Sequence, residues 1–261
     1  VTSYNTGATA SASTAASVAI TIPSGVLAGD VMFMCLNVFT ETGTAPSISF
    51  SGAGGSWTLV PVTAGANPEV ANSGSIWNYG YTYYRVATSG DPGATLTITE
   101  SGSSASTTWF AVAIASYTSA STTAPVDVAG GTETAAVVTT IACPSLNTVV
   151  NNDWGIYLGG GGVGTGSTWT GPATQRQSVV SVSAGIGAAI SDSNGPVAAG
   201  SSIGGGNFTT SNGSTTNYLT AFTVGLAPPS VTGPPLGQQY MGNAPAVIVT
   251  GAGWRGASHS R

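Results

Sequence analysis

The chain has 261 residues and a formal net charge of −5, with charged side chains at only 5% of positions, against roughly 25% in an ordinary soluble domain. Four arginines (Arg85, Arg176, Arg255 and Arg261) and no lysine leave too little positive charge to neutralise a phosphate backbone, which argues against nucleic acid as a partner. The longest apolar run, residues 31–39, falls far short of the ~20 residues of a helix that crosses a bilayer, so no membrane partner is expected.

Hydrophobic residues make up 41% of the chain and include six Trp and nine Tyr, enough apolar area to offset the entropy of ordering. They fall in short alternating or β-branched runs, punctuated by Gly, Pro, Asn and Asp, and no stretch carries a helical period. The runs predict strands at 17–23, 30–39, 57–63, 76–87, 94–99 and 108–118. Pro23-Ser24-Gly25 and Asp91-Pro92-Gly93 supply turn chemistry between them. Within 76–86, Trp77, Tyr79, Tyr81 and Tyr83 share one face, forming an aromatic ladder.

The same order then recurs. Ile22-Pro23-Ser24 leading to Asp30-Val31-Met32-Phe33 returns as Cys143-Pro144-Ser145 leading to Asp153-Trp154-Gly155-Ile156. Ser56-Trp57-Thr58 returns as Thr168-Trp169-Thr170, Ser89-Gly90-Asp91-Pro92-Gly93 loosely as Ser193-Asn194-Gly195-Pro196, and Trp109 to Tyr117 as Tyr218 to Leu226. We therefore expect an all-β, antiparallel β-sandwich of jelly-roll or lectin-like type, built from two weakly similar strand sets (about 17–118 and 139–226). One sandwich over residues 1–227, with the two sets face to face, hides more surface than two separate ones. Pro228, Pro229, Pro234 and Pro235 then open a linker, so residues 228–261 are expected to form a Pro-rich linker and an extended C-terminal arm. In it Ala246, Val247, Ile248, Val249 and Thr250 make a β-prone run followed by Trp254 and Arg255, the pattern of an arm that docks on a partner.

The chemical motifs are sparse. The one histidine, His259, lies three residues from the end, and no G-x-S-x-G elbow occurs, so a hydrolase triad is not expected. Asp30, Glu41, Glu69, Glu100 and Asp153 are the candidates for a glycosidase carboxylate pair, but Asp30 and Asp153 open equivalent strands, where an aspartate caps a turn. Gly159 to Gly166 contains a G-x-G-x-x-G with no helix after it, which predicts a β-turn instead of a phosphate loop. Asp192-Ser193-Asn194-Gly195 lacks the further ligands of a calcium loop and is read as a turn. Cys35 and Cys143 are expected to be buried free thiols. Trp57, Trp109, Trp154 and Trp169 sit in apolar strand patterns and are assigned to the core, leaving Trp77 and Trp254 as less certain, with Trp77 the candidate glycan contact. No catalytic residue, cofactor or metal site is predicted, and the chain is expected not to be an enzyme.

Residues 22–31 (Ile-Pro-Ser-Gly-Val-Leu-Ala-Gly-Asp-Val), Ser56-Trp57-Thr58-Leu59-Val60, Tyr83-Tyr84-Arg85-Val86, Ser89-Gly90-Asp91-Pro92-Gly93 and a closing strand at 218–228 together resemble β-sandwich modules in virion proteins of tailed bacteriophages infecting actinobacteria. The resemblance covers residues 17–228. Such modules occur in minor tail proteins and in capsid-decorating or fibre proteins. It implies a virion part at the particle surface, with a minor tail component as the first assignment and a capsid decoration protein or a carbohydrate-binding host-attachment module as alternatives. The implied partners are other virion proteins, further copies of the chain and a host surface glycan. The resemblance supplies no catalytic residues.

Overall fold

The structure, a computed structural model, describes residues 1–52, 55–104, 107–134, 138–181, 183, 185–211 and 218–229. Val1–Pro229 is one compact unit. The predicted arm at Ala246–Thr250, Trp254 and Arg255 lies outside the described residues, as does His259.

The first half of the chain contributes β1 (Ser3–Ser13), β2 (Ser17–Thr21), β3 (Val31–Thr40), β4 (Ser47–Gly52), β5 (Thr58–Leu59), β6 (Glu69–Ser73), β7 (Ile76–Val86), β8 (Thr95–Ser101) and β9 (Trp109–Thr118). The second contributes β10 (Val126–Thr134), β11 (Thr140–Ala142), β12 (Leu146–Asn147), β13 (Asp153–Gly162), β14 (Trp169–Thr170), β15 (Thr174–Val180), β16 (Ile186–Val197), β17 (Ser202–Ile203), β18 (Asn207–Thr210) and β19 (Leu219–Leu226). There is no α-helix among the described residues. The fold is all-β and antiparallel, as the residue pattern predicts. Strands on the outer layers alternate: in β2, Val18 and Ile20 are buried while Ala19 and Thr21 face out. The central strands β3 and β13 are buried at every position, and β3 accordingly reads as an almost unbroken apolar run.

Two halves share one topology. In the first, the large sheet runs β1-β9-β3-β7, with β5 and β6 both on the far side of β7, and the small sheet runs β2-β8-β4. In the second, the large sheet runs β10-β19-β13-β16-β15 and the small one β11-β18-β14, with β12 and β17 as a short extra pair. Strands alternate between two layers along the chain, the jelly-roll arrangement. Thus each strand set closes a jelly roll of its own. The two large sheets then pack on each other, giving four layers in the order small, large, large, small.

Three cores follow from this layering. Met32, Met34, Leu36 and Val38 of β3 pack with Tyr79, Tyr81, Leu96 and Ile98 under the first small sheet. The opposite face of β3, with Val31, Phe33 and Cys35, meets Trp154, Ile156, Leu158, Phe222 and Val224 of the second large sheet. Ile141, Cys143, Tyr157, Trp169 and Phe208 fill the third. Cys35 and Cys143 are both buried free thiols in different cores. A single two-layer sandwich would leave one apolar face of β3 and of β9 in water, and four layers cover both faces of each.

Contacts between the halves are reciprocal. β1 packs on β15 and β10 on β6; β9 on β16 and β19 on β7; β3 on β16 and β13 on β7; β3 and β13 meet directly. Reciprocity of this kind defines a two-fold interface, so the chain is a covalently joined pseudo-dimer of jelly rolls. With Asp30 matched to Asp153, Asn37 matches Gly160, and these two touch: a Cβ on Gly160 would overlap the Asn37 amide. The pseudo-axis therefore passes beside them. Asn37, fully buried, accepts from Thr220 Oγ1 at 3.1 Å and donates to Cys35 Sγ at 3.5 Å.

Some local expectations change. Gly159 to Gly162 are not a turn but the buried end of β13, where the missing side chains let Phe208 lie against Gly159 and Asn37 against Gly160. Glycine inside a strand marks such close approach. Asp192 to Gly195 lie within β16 at a register shift, not in a connecting turn. The two Ser/Thr-Trp-Thr echoes are not structural equivalents, since Thr58 pairs with β7 of the large sheet and Trp169 with β18 of the small one. The register matches Trp169 instead to Phe50. The first half interrupts its edge strand between β5 and β6, and Asn67 patches the gap by bonding both the N–H and the C=O of Thr82. The excursion pairs with β10 through Thr63 N to Ala129 O and Gly131 N to Ala64 O, both 2.8 Å, which covers an edge that would otherwise invite aggregation.

Candidate functional site

The disposition of charge is the first feature of the surface. Of the nine carboxylates, Asp30, Glu69, Asp91, Glu100, Asp153 and Asp192 are buried. Both described arginines are paired inward: Arg85 with Asp91 at 3.2 Å and Arg176 with Asp192 at 2.8 Å, the aspartates being 1% and 0% exposed. Only Glu41 and Glu133 remain as exposed charges among the described acidic and basic side chains. The outer layers instead present Ser, Thr, Asn and Gly.

The Arg176 pair also ties the halves together. Its guanidinium lies 4.6 Å from the centroid of Tyr4 in β1, Nη2 donates to Asn194 Oδ1 at 2.6 Å, and neighbouring Gln177 donates to the Tyr4 hydroxyl at 2.9 Å. Tyr117 from β9 is buried beside this group. Burial, then the negative charge of Asp192, raises its phenol well above the ordinary range.

The carboxylates proposed as a glycosidase pair are dispersed into structural roles. Asp30 Oδ2 accepts from Leu27 N at 3.0 Å, Asn5 Nδ2 at 2.8 Å and Ser116 Oγ at 2.9 Å, the turn-capping role expected from its place before a strand. Glu100 accepts from Ser103 and Thr108 hydroxyls. Glu69 accepts from Ala66 N at 2.7 Å, and burial raises its carboxyl above the usual range. Asp153, although equivalent to Asp30, has no hydrogen-bond donor at either oxygen. Its neighbour is Asp127, whose Oδ2 accepts from Val149 N at 2.6 Å and Val150 N at 3.3 Å. Two carboxyl groups touch here, but Asp153 is sealed from solvent, which leaves no approach for a sugar ring.

Trp57, Trp154 and Trp169 are buried as expected. Trp109 is half-buried against the central core. Trp77 is half-buried at the end of the aromatic ladder, stacked on Tyr79 at 6.4 Å and 13°. The rest of the ladder is covered: the Tyr79 and Tyr81 hydroxyls donate to the carbonyls of Thr42 and Pro46 in the connection between β3 and β4. A shallow groove also runs beside β15, lined by Gly166, Ser167, Thr168, Gln175, Ser178 and Val180. Residues that pattern reading did not single out are Leu27, Val149 and Val150, exposed by 61%, 72% and 42%. They sit in equivalent loops ahead of β3 and β13, and the signal was the repeated Pro-Ser motif that opens both loops.

No known protein family, curated protein or solved structure matches this chain.

Proposed function

We propose that the chain is a non-catalytic structural module of a tailed-phage virion, a minor tail component displayed on the particle and anchored to neighbouring subunits through its arm at 246–255. The observation that carries this reading is the near-absence of unpaired charge on the described surface. Docking such a surface strips few ions of water, so association costs little desolvation. Copies of it also repel one another weakly at close range. The jelly-roll arrangement serves capsid and lectin domains alike, and as a fold-level analogy it agrees with the reading without choosing a place on the particle.

Deletion of residues 233–261 tests the anchor. The truncated protein is expected to fold, with the same thermal transition as the full chain, and to be missing from purified particles. Normal incorporation would overturn the anchoring role. Copy number per particle separates the two virion assignments, since a few copies mark a tail part and hundreds mark capsid decoration.

A further inference from the structure

The two jelly rolls solve the same problem differently. Asn5 lies at the register shift between Tyr4 and Thr6 of β1, and Asp127 at that between Val126 and Ala129 of β10. Matching Tyr117 to Leu226 makes Asn5 and Asp127 equivalent, and makes Ser116 equivalent to Gly225. So both side-chain donors that satisfy Asp30 are replaced around Asp153: an amide by a carboxyl, and a hydroxyl by a hydrogen atom. A Cβ on Gly225 would stand 3.4 Å from Asp153 Oδ2, close to where the Ser116 hydroxyl would reach. Equally, the loop N–H that capped Asp30 from Leu27 finds its counterparts, Val149 N and Val150 N, on Asp127 instead.

A buried carboxylate with no donor is strongly disfavoured, and two carboxyl groups in contact hold together only when they share a proton. We propose that Asp127 and Asp153 form a proton-held latch that fixes the apolar loop tip Val149–Val150 to the end of the second jelly roll, and that loss of the shared proton frees the tip. β19 presents Gly225 to this site, β16 presents Val197 and β17 presents Ile203, none of which titrates. Asp127 is the ionisable group that acts on Asp153 among the described residues.

Burial, reinforced by the adjoining Asp127, pushes the Asp153 carboxyl up from 3.8 to about 8. An acid whose folded pKa is raised binds its proton more tightly when folded, so its contribution to stability is full below the ordinary carboxyl range and is eroded as pH climbs towards 8. The tip should therefore be closed at neutral pH and loosened in mildly alkaline solution. Leu27 in the first jelly roll, whose loop caps a fully satisfied aspartate, serves as an internal control.

Hydrogen–deuterium exchange of the full chain between pH 6 and 9.5, corrected for intrinsic base catalysis, tests this. Protection at Val149 and Val150 is expected to fall tenfold or more across the range while protection at Leu27 holds. Asp153→Asn supplies an amide donor in place of the proton and should make protection at the tip independent of pH. Asp127→Asn, which recreates the Asn5 arrangement, should do the same and gives a second route should Asp153→Asn fail to fold. A wild-type tip whose protection does not change over this range, or a fall that persists in both variants, would overturn the latch.

Discussion

Asn37 and Gly160 meet at the pseudo-axis, and the pair illustrates how a residue that looks generic in sequence can be constrained by its symmetry mate. Any side chain at 160 must displace a buried amide that bonds to Thr220 and Cys35. Gly160→Ala should destabilise the protein by about 1–3 kcal/mol, the usual cost of overpacking a dense core, read as a lower denaturant midpoint with an unchanged slope. The neighbouring Gly159 compensates Phe208 in the same manner, so that a large residue on the small sheet of the second jelly roll faces a glycine where the first places Leu36 and Leu96 in one core. Little of this was legible in the chain. A run of glycines signals a turn until the structure places a phenyl ring and an amide against it. The equivalence of Asp30 and Asp153 was legible, because both follow a Pro-Ser motif and open an apolar strand. Their different partners were not: Asn5 and Asp127 lie on β1 and β10, and the alternation of Ala8, Ala10 and Ala12 in β1 carries too little apolar bulk to stand out.

The elements that lie at the centre of the large sheets were the easiest to recognise. β3, β7 and β9 carry long β-branched or aromatic runs and were predicted within one or two residues. The edge strands were harder, since β15 and β10 mix polar and apolar residues and derive their position from the other half of the molecule. β15 is held by Arg176 and Gln177 against Tyr4, contacts that span more than 170 residues of sequence. Removing the guanidinium would leave Asp192, 0% exposed, without its counter-charge. Arg176→Ala should therefore cost about 3–5 kcal/mol, the range for breaking a buried ion pair from one side, whereas Arg176→Lys should cost less because it keeps the charge while losing the bond to Asn194. Equilibrium unfolding in denaturant gives both values. Equal destabilisation by the two substitutions would show that shape and not charge holds β15 in place.

At the scale of the molecule, residues 1–229 fold as two jelly rolls back to back, and the large sheets are buried on both faces. The number of layers was not legible from the repeat alone. Two similar strand sets are compatible with two opposing sheets or with two complete sandwiches, and the deciding clue is that residues 31–36 of β3 and 109–115 of β9 are apolar without a break. That architecture leaves the small sheets, the edges and the end loops to meet the outside, and draws most of the described charged side chains inward. The resulting surface supports the role proposed above, lasting contact with other virion proteins. That role is tested most directly by an electron-microscopy map of intact phage particles. Density for the four-layered body is expected at the particle surface, joined through residues 246–255 to an adjacent subunit. Particles complete in every other protein but lacking this density would contradict it.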